Sequence, residues 1–537
     1  MNTVSKKDNL LTDIINTTNR IQKIICNKTI TIINQSNETN IKKKYDLHIL
    51  FINHIKNIKS FNLEHQDEKT IEKILEKKNF NIHEEKNEII SLLNTEKESH
   101  YAIIGINNDK KKSNYESIKN NFGKIIHFIQ SKKIESVCIE INEDIFYHIP
   151  LNKFAEILQS TLLLKLYHFN LFITDPKKLL FTDFNINLLT TNKNYKLIES
   201  GLQRGSSIGT AVNFSRFLSD SPAKELYPKS FIELVKNEIQ SIDNKNIEIT
   251  IFDIEKLNQL GMGGILGVGQ GSAHQPALLI LKYTPSNPSN KTIALVGKGV
   301  TFDTGGISIK PSDGMEDMKA DMSGAAAVVS AFIGLSKLES PYTIYAITPL
   351  AENMVGGNSI RPGDILQFYN GKTAEIKNTD AEGRLILADA LSYTSDKIKP
   401  DIMIDLATLT GACRIALGPV YAGLMTENNF LEQNIKDAGE LTGNRCWSLP
   451  LEEAYEINMH SDVADICNIG TKGYKAGATM GGMFLREFVD KTIKWAHIDI
   501  ATVATDCPFK NYINSFGATG FGVELLIELL KDKTYLS

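Results

Sequence analysis

The 537-residue chain lacks the short motifs by which several classes of protein are recognised. No HExxH sequence occurs, which argues against a zinc protease whose histidines and glutamate share one helix. None of the six cysteines forms a CxxC pair, and their wide spacing argues against a disulfide scaffold. Reduced thiols in a cytoplasmic protein are the simplest interpretation.

Long apolar runs and an excess of one charge are also missing. No run reaches the about 18 apolar residues that a membrane-spanning helix needs. Lys and Arg total 59 and Asp and Glu total 63, a formal net charge of −4, so no basic excess indicates nucleic acid or an anionic membrane. Residues 1–20 have neither the apolar core of a signal peptide nor the Arg-rich character of a transit peptide. The sequence thus predicts a cytoplasmic location and no membrane partner.

Glycine is scarce in the first part of the chain. Of 36 glycines, only Gly105 and Gly123 precede residue 201, whereas eight of eleven histidines precede residue 200. Such a change of composition predicts two domains, over residues 1–200 and 223–537. Residues 201–222 are predicted to form the connecting helix, because Ile208–Leu218 is apolar at helical spacing.

Strand-like and helix-like segments alternate along both parts. In the second part this alternation predicts an α/β domain with a mixed, largely parallel central sheet flanked by helices. The first part is predicted to be a smaller α/β domain. The candidate strands are Asp46–Ile52, Tyr101–Ile106, Glu135–Ile141, Leu171–Thr174, Ile293–Val296, Thr343–Thr348, Ile402–Leu406 and Ala496–Ile500. The candidate helices are Phe154–Leu166, Gly324–Leu335, Leu385–Thr394 and Gly482–Val489.

Two glycine-bearing turns between a strand and a helix carry clustered polar residues. The first is Gly297–Lys310, which is followed by Met318–Ala325, and the second is Asn378–Leu385. Open α/β sheets bind ligands at the carboxyl ends of their strands. Both turns are predicted to lie at such ends.

The acids in these turns need counter-charge if they converge, because lone buried carboxylates are costly. They are Asp303, Asp321, Asp380 and Glu382. Two divalent cations would balance them, and hard oxygen ligands suit Mg, Mn or Zn. Lys298 beside two cations would have a depressed pKa and could bind as the neutral amine. Any one of these acids alone is more typical of a helix cap or a surface charge, so the spacing favours a two-metal site without deciding it.

The same segments resemble the signatures of the leucine aminopeptidase (cytosol aminopeptidase) family. Asn378–Leu385, with the sequence NTDAEGRL, is identical to the family octapeptide, and Lys298–Asp321 agrees in residue type and spacing. Further agreements are Asp364, Asp405–Ala412 and Trp495–Asp499. The resemblance covers roughly residues 205–530, whereas residues 1–200 resemble the family only in position, size and α/β character.

The resemblance implies a role for each matched residue. One metal site would be formed by Lys298, Asp303, Asp321 and Glu382. The other would be formed by Asp303, Glu382 and the side chain and main-chain carbonyl of Asp380. Lys310 would polarise the scissile carbonyl and stabilise the oxyanion, and Arg384 would hold a bicarbonate ion that acts as general base. The residues expected around the substrate are Met318, Asn378, Thr408, Leu409 and Gly411.

The activity implied by the resemblance is metal-dependent release of N-terminal amino acids, preferentially leucine and other apolar residues, from peptides. A hydroxide bridging two cations, Zn or Mn with Mg or Co as alternatives, would attack the first peptide carbonyl. The free α-amine of the substrate would bind the second cation. The family also implies a homohexamer in which the catalytic metallopeptidase domain, residues 223–537, packs centrally.

Two alternatives stay open. A catalytically silent structural member of the same fold is disfavoured because all seven key residues are present, and a DNA-binding role is disfavoured by the net charge of −4. The glycine spacing of Gly261–Gly271 is weak evidence for dinucleotide binding, because no clear strand-turn-helix unit surrounds it. Departures from the family pattern at Ser323 and Met480–Met483 are expected to reshape the specificity pocket, and His497 is expected to be structural.

Overall fold

The computed structural model of the protein describes residues 28–34, 45–61, 63, 65–80, 87–93, 98–106, 115–141, 149–191, 193–470 and 476–536. The segment 1–20, for which the sequence predicts no targeting signal, lies outside the described residues. The described chain falls into two compact units. Among the described residues, the N-terminal unit comprises those between 28 and 210 with Pro508–Ser515, and the C-terminal unit comprises those between 211 and 507 with 516–536.

The N-terminal unit contains a six-stranded sheet in the order β1-β6-β5-β2-β4-β3. Its strands are β1 (Thr31–Asn34), β2 (Leu47–Ile52), β3 (Asn87–Leu93), β4 (Glu98–Gly105), β5 (Ser136–Glu140) and β6 (Asn185–Thr190). All neighbouring strands are parallel except β3 and β4. The α-helices are α1 (His65–Lys77), α2 (Tyr115–Lys132), α3 (Leu151–Leu166) and α4 (Tyr195–Asp220), and the 3-10 helices are Ile55–Ser60 and Pro176–Lys178. The residues of α4 from Ala211 onward belong to the C-terminal unit.

Helix α4 approaches α3 closely through small residues. A Cβ atom added to Gly201 would lie 2.1 Å from the carbonyl oxygen of Asn152, and one added to Gly205 would lie 2.4 Å from that of Glu156. Only glycine fits at such distances. This helix covers most of the predicted segment 201–222, but its bounds are Tyr195–Asp220; its role as a connection between domains stays a prediction.

One predicted strand of the first part is wrong. Leu171–Thr174 does not form a strand, and Phe172 is 62% exposed. Asp175 caps the 3-10 helix that begins at Pro176, by accepting from the N–H of Lys177 at 3.0 Å. The apolar run thus ends in a proline-led turn, which cannot continue a strand ladder.

The C-terminal unit contains a nine-stranded sheet in the order β16-β15-β18-β14-β9-β11-β8-β7, with β10 paired to β11. Its strands are β7 (Ile247–Phe252), β8 (Ala277–Tyr283), β9 (Thr292–Gly297), β10 (Gly299–Asp303), β11 (Thr343–Asn353), β14 (Ile402–Ala407), β15 (Ala422–Met425), β16 (Cys446–Ser448) and β18 (Lys494–Asp499). A three-stranded sheet contains β12 (Ile365–Gln367), β13 (Thr373–Glu375) and β17 (Ile466–Cys467).

The helices of the C-terminal unit include two that pack on the central strands. The α-helices of this unit are α5 (Pro228–Ile242), α6 (Ile254–Leu260), α7 (Gly263–Gly269), α8 (Ser323–Lys337), α9 (Gly383–Tyr393), α10 (Gly411–Leu417), α11 (Asn429–Thr442), α12 (Gly477–Arg486) and α13 (Val523–Leu530). Short turns are the 3-10 helices Met315–Ala320 and Glu453–Met459 and the π-helix Thr394–Ile398. Helices α8 and α9 both contact β9 and β11.

The four central strands β18, β14, β9 and β11 are mutually parallel. Strand β14 is buried along its whole length and β9 at all but its first residue, as in a parallel sheet covered on both faces. The predicted mixed, largely parallel sheet flanked by helices is confirmed. Because parallel strands end at the same edge, the residues after β9 and β14 are brought together.

The stretch Met315–Lys337 is long and apolar enough to cross a membrane by length and composition. However, 89% of its most apolar window is buried inside the structure. It consists of the 3-10 helix Met315–Ala320 and the core helix α8. Such a buried segment is weak evidence for a membrane span.

Replacing the buried acid of α9 should destabilise the protein. Asp389 is fully buried, and its carboxylate accepts from the N–H groups of Ile265 and Tyr369, both at 2.9 Å. Asp389→Ala leaves both donors without an acceptor, so we expect the free energy of unfolding in urea to fall by about 2–4 kcal/mol. Asp396→Ala, at an exposed position nearby, should change it by less than about 0.5 kcal/mol.

The loss of unfolding free energy in Asp389→Ala should depend on pH. Burial raises the pKa of Asp389 to about 7, above its value in the unfolded chain. The wild type therefore gains stability from Asp389 as the pH falls through 7, and the variant does not. The difference in unfolding free energy should be larger below pH 7 than above it, and a pH-independent difference would contradict this account.

Candidate functional site

The candidate site lies at the carboxyl ends of β9 and β14. Lys298 directly follows β9, and its N–H donates to the carbonyl of Leu406 on β14 at 3.0 Å. Its own carbonyl accepts from the N–H of Ala325, near the start of α8, at 2.8 Å. Backbone hydrogen bonds on both sides therefore fix the point from which the Lys298 side chain extends.

The Lys298 ammonium group is buried among oxygen acceptors. Its Nζ lies 2.8 Å from Asp321 Oδ1, 2.9 Å from Glu382 Oε1 and 2.8 Å from the carbonyl oxygen of Thr408. Burial lowers the pKa of Lys298, but the carboxylates of Asp321 and Glu382 outweigh burial and hold this pKa above its usual value. The depressed pKa that the sequence argument expects requires two cations as neighbours. With carboxylates around it, Lys298 is an ammonium ion.

The second lysine joins the two predicted turns. Lys310 Nζ lies 2.8 Å from Asp303 Oδ2 and also pairs with Asp380 Oδ1. Asp303 ends β10, and its other oxygen accepts from Asn353 Nδ2 at 2.8 Å and from the Gly305 N–H at 2.9 Å. Lys310 therefore bridges acids from both turns while backbone and amide donors orient Asp303.

Acids of the two turns lie close together in the structure. Asp303, Asp380 and Glu382 each offer one oxygen, and these oxygens all lie within 4.8 Å of one another. Asp321 adjoins them through Lys298, and its buried Oδ2 has no hydrogen-bond partner among the residues that the structure describes. Among the described residues, these carboxylates form ion pairs with two ammonium groups, those of Lys298 and Lys310, so negative charge remains. Excess charge, hard oxygen donors and a buried carboxylate oxygen without a donor together fit divalent cations.

The carboxylates also raise one another's pKa values. Burial first, and then Glu382, raise the pKa of Asp303 to about 6, against the opposing effect of Lys310 and Lys298. Burial likewise raises the pKa of Asp321. Burial also acts to raise the pKa of Glu382, but the two lysines outweigh it and hold this pKa below its usual value. Mutual repulsion of this kind is relieved by bound positive charge.

Two residues that the sequence argument did not single out hold the turns together. Asn353 Nδ2, at the end of β11, donates to Asp303 and also to the carbonyl of Thr379 at 3.1 Å. Thr379 Oγ1 donates to the carbonyl of Gly305 at 2.6 Å and accepts from the Ser308 N–H at 2.8 Å. In the sequence, Asn353 could have been found as a site residue because it is a polar residue at the end of an apolar strand. Thr379 could have been found because it belongs to the octapeptide NTDAEGRL.

Arg384 lies in the first turn of α9, and its Nη1 donates to the carbonyl of Asn468 at 2.7 Å. Its Nε is buried and, within the described part of the chain, has no acceptor. Burial lowers the pKa of Arg384 to about 10, although Glu382 and Asp499 oppose this. A buried guanidinium with an unused donor fits a small anion such as bicarbonate.

The residues expected around the substrate lie at different distances from this cluster. Thr408 contacts it directly, because its Oγ1 donates to Asp321 Oδ1 at 2.8 Å. Asn378 Oδ1 accepts from the N–H of Asp380 at 2.8 Å, and the carbonyl of Met318 accepts from the N–H of Asp321 at 3.3 Å.

The other two expected substrate residues follow Thr408 along the chain. Leu409 is held through its N–H, which donates to Asp499 Oδ1 at 3.2 Å. Gly411 is exposed at the first residue of α10. Neither has a hydrogen bond to the acid cluster among the residues described, so their part in binding stays a prediction.

Two departures from the family pattern have structural roles. Ser323 Oγ donates to the carbonyl of Ala320 at 2.6 Å, in the turn that precedes α8. Met480 and Met483 on α12 are 3% and 0% exposed and belong to the hydrophobic core of the unit. Their side chains pack in the interior, and an effect on the specificity pocket stays a prediction.

The expectation that His497 is structural agrees with its contacts. His497 Nδ1 lies 2.6 Å from Asp405 Oδ1, and Trp495 Nε1 donates to the other oxygen of Asp405 at 2.7 Å. All three residues lie on the adjacent strands β14 and β18. The Asp405 carboxylate thus makes two buried polar contacts within the sheet, one with Trp495 and one with His497.

The sequence profile described as the catalytic domain of the cytosol aminopeptidase family matches residues 213–527. The chain belongs to the cytosol aminopeptidase family. The matched range contains every residue of the acid cluster, both lysines and Arg384.

Individual proteins of this family are similar to the chain over a longer range. A probable cytosol aminopeptidase of Chlorobium limicola is 45% identical over 334 residues, which cover 62% of this chain and 65% of that protein. The chain thus spans slightly less than two thirds of the length of that relative. A probable cytosol aminopeptidase of Rickettsia bellii is 36% identical over 447 residues, which cover 83% of this chain and 87% of the relative.

Solved structures of similar proteins share the fold. A mutant of tomato leucine aminopeptidase superposes with a TM-score of 0.79 at 28% identity and covers 94% of this chain and 96% of its own. The bottromycin maturation enzyme BotP in complex with Mn superposes with a TM-score of 0.76 at 27% identity, covering 91% and 99%. The similarity therefore extends into residues 1–200, where the sequence resemblance is weak.

A methyl group at Gly383 should disrupt the candidate metal site. The added Cβ would lie 2.4 Å from Lys298 Cε and 2.8 Å from its Nζ, so the end of the lysine side chain must shift. Displacing a group that orients metal ligands costs about 10–100-fold in affinity. We expect Gly383→Ala to weaken Mn²⁺ binding by at least that factor in calorimetry.

The matched control is Gly357→Ala, because a Cβ there would have nothing within 4 Å. It should bind Mn²⁺ like the wild type. Equal Mn²⁺ affinity in Gly383→Ala and the wild type would show that the position of Lys298 does not matter for metal binding.

Proposed function

We propose that this protein is a metal-dependent aminopeptidase that releases leucine and other apolar residues from the N-terminus of peptides. The observation that carries the proposal is the convergence of Asp303, Asp380 and Glu382, with oxygens within 4.8 Å of one another, beside two lysines. Family membership supports the same activity.

The donor set suits two cations. Lys298, Asp303, Asp321 and Glu382 would hold one, and Asp303, Asp380 and Glu382 the other. When bound, such a pair supplies a water whose pKa is lowered toward neutrality, so that it can attack the first peptide carbonyl as hydroxide. Zn and Mn are proposed, with Mg and Co as alternatives, and the Mn in the BotP structure supports Mn.

Lys310 is proposed to act on the scissile carbonyl. Its side chain is 21% exposed, whereas the side chains of Asp303 and Lys298 are each only 3% exposed. Its ammonium can therefore reach substrate while keeping contact with the carboxylates. Positive charge held at that place stabilises the negative charge that develops on the carbonyl oxygen.

Arg384 is proposed to hold bicarbonate. Its buried Nε lacks an acceptor among the described residues, and its Nη1 is anchored to the Asn468 carbonyl at 2.7 Å. An anion at Nε would satisfy this donor and place a proton acceptor beside the cluster. It would then take the proton from the attacking water as general base.

The acid cluster also explains why a free N-terminus should be required. A free α-amine offers a charge or a lone pair to an acid-rich, cation-binding site, whereas the amide nitrogen of an N-acetylated terminus offers neither. Met318, Asn378, Thr408, Leu409 and Gly411 are proposed to position the first residue and the peptide backbone. The contact of Thr408 Oγ1 with Asp321 at 2.8 Å supports its place beside the reacting end.

The first test compares a leucyl peptide with its N-acetylated form, after chelation and again after addition of Mn²⁺ or Zn²⁺. We expect cleavage of the free-amine peptide only, and only with metal. Glu382→Ala removes a carboxylate common to both proposed sites and should abolish cleavage. Asp396→Asn, which removes an exposed charge outside the cluster, should leave the rate unchanged.

Absence of cleavage under every metal, from folded protein, would overturn the proposal. A catalytically silent structural role or DNA binding would then become the leading interpretation. DNA binding would be recognised by a gel shift that weakens steeply with salt.

A second test concerns Lys310. Lys310→Gln keeps the size of the side chain but removes its charge, which is needed most in the transition state. We expect kcat to fall by about 10²–10³-fold with a smaller change in KM. Lys397→Gln, at an exposed lysine, should leave kcat unchanged, and an unaffected kcat in Lys310→Gln would exclude it from catalysis.

A homohexamer and a cytoplasmic location are proposed on the strength of the family. The relatives are named cytosol aminopeptidases, which supports the location. The oligomer is measured directly by the mass of the purified protein in solution.

A further inference from the structure

A second group of metal-ligating side chains lies in the N-terminal unit. His48, Cys138 and Glu140 each offer one ligand atom, and these three atoms all lie within 4.8 Å of one another. The three residues are 6%, 0% and 4% exposed. None of them takes part in the site described above.

The parallel pairing of β2 with β5 creates this group. His48 on β2 is the direct partner of Cys138 on β5, and Glu140 follows Cys138 by two residues. Side chains two apart on a strand point to the same face. The register therefore places an imidazole, a thiol and a carboxylate on one face of adjacent strands.

The histidine ring is held between aromatic side chains. The ring of Tyr101 stacks on His48 with centroids 5.4 Å apart, and the ring of Tyr45 meets it edge-on at 6.0 Å. This packing restricts the imidazole orientation. Ligand side chains that are fixed before binding lose little entropy when they bind.

The polar contacts of the group are incomplete. His48 Nδ1 is buried and has no hydrogen-bond partner among the described residues. Its separation from Glu140 Oε1 is 3.6 Å, which is too long for a hydrogen bond. Two ligands on a tetrahedral cation at about 2.0–2.1 Å are separated by about 3.4 Å. The observed spacing thus suits two ligands of one cation better than a direct contact.

We propose that His48, Cys138 and Glu140 bind one transition-metal cation of the Zn²⁺ or Co²⁺ class between β2 and β5. Mixed nitrogen, sulfur and oxygen donors select such cations over Mg²⁺ or Ca²⁺, which take oxygen ligands. Three protein ligands leave a fourth position for water. The site is independent of the proposed peptidase function.

Charge balance supports a divalent cation. A buried carboxylate is costly without full compensation. On binding, the thiol of Cys138 loses its proton to solvent and a sulfur–metal bond forms. The cation then balances the thiolate and the carboxylate while His48 stays neutral, so the buried group carries no net charge.

The test is Co²⁺ titration of the full-length, reduced protein, followed by absorption in the near ultraviolet. A thiolate bound to Co²⁺ gives a charge-transfer band there, whereas the proposed catalytic ligands are carboxylates and an amine and give none. We expect a band whose final intensity corresponds to one thiolate-bound Co²⁺ per chain, in addition to any Co²⁺ that the carboxylate sites take up. It should persist in Glu382→Ala, which makes this result separable from failure of the peptidase proposal.

The variants assign the band. Cys138→Ser should abolish it, whereas Cys446→Ser, at another buried thiol, should leave it intact. Glu140→Gln keeps shape and removes charge, and it should weaken Co²⁺ binding by at least about tenfold. Circular dichroism checks that each variant folds, and the wild-type titration decides even if Cys138→Ser does not fold. No band in the wild type at saturating Co²⁺, or an undiminished band in folded Cys138→Ser, would overturn the proposal.

Discussion

The constraint on which the catalytic region depends is the confinement of like charges at the end of a parallel sheet. Asp303, Asp321, Asp380 and Glu382 are held together although burial and mutual repulsion act against them. Lys298 and Lys310 offset part of this repulsion through their ion pairs with the acids. The cluster is therefore stable only while the backbone keeps both lysines within reach of the acids.

The fold meets this condition with short connections. The backbone of Lys298 is bonded to β14 and to α8, Asp303 is held by Asn353 from β11, and Thr379 is bonded to the turn after β10. These bonds tie the two acid-bearing turns to neighbouring strands and to α8. A donor set held in this manner needs little rearrangement on binding, which is the condition for electrostatic catalysis.

Sequence was sufficient for the features that depend on local pattern. The parallel core strands are short buried runs, and NTDAEGRL identifies the second acid turn at once. It was insufficient where tertiary context decides. The sequence of Leu171–Thr174 is typical of a strand, but it is followed by a 3-10 helix that Asp175 caps and Pro176 begins. The contact of Asn353 with Asp303 depends on the pairing of β10 with β11, which the sequence does not show. Metal-ligating character in His48, Cys138 and Glu140 likewise depends on the β2–β5 register.

The glycines of α4 explain why the glycine-rich part of the chain begins near residue 201. The first glycines of the glycine-rich part are Gly201 and Gly205, and both lie in a helix where the backbone of α3 occupies the space that a side chain would need. They mark close approach of two helices and not a flexible linker. The short distance between α3 and α4 consequently requires that Gly201 and Gly205 have no side chain. Amino-acid substitutions at these two positions should therefore be tolerated far less than substitutions in the glycine-poor strands that precede them.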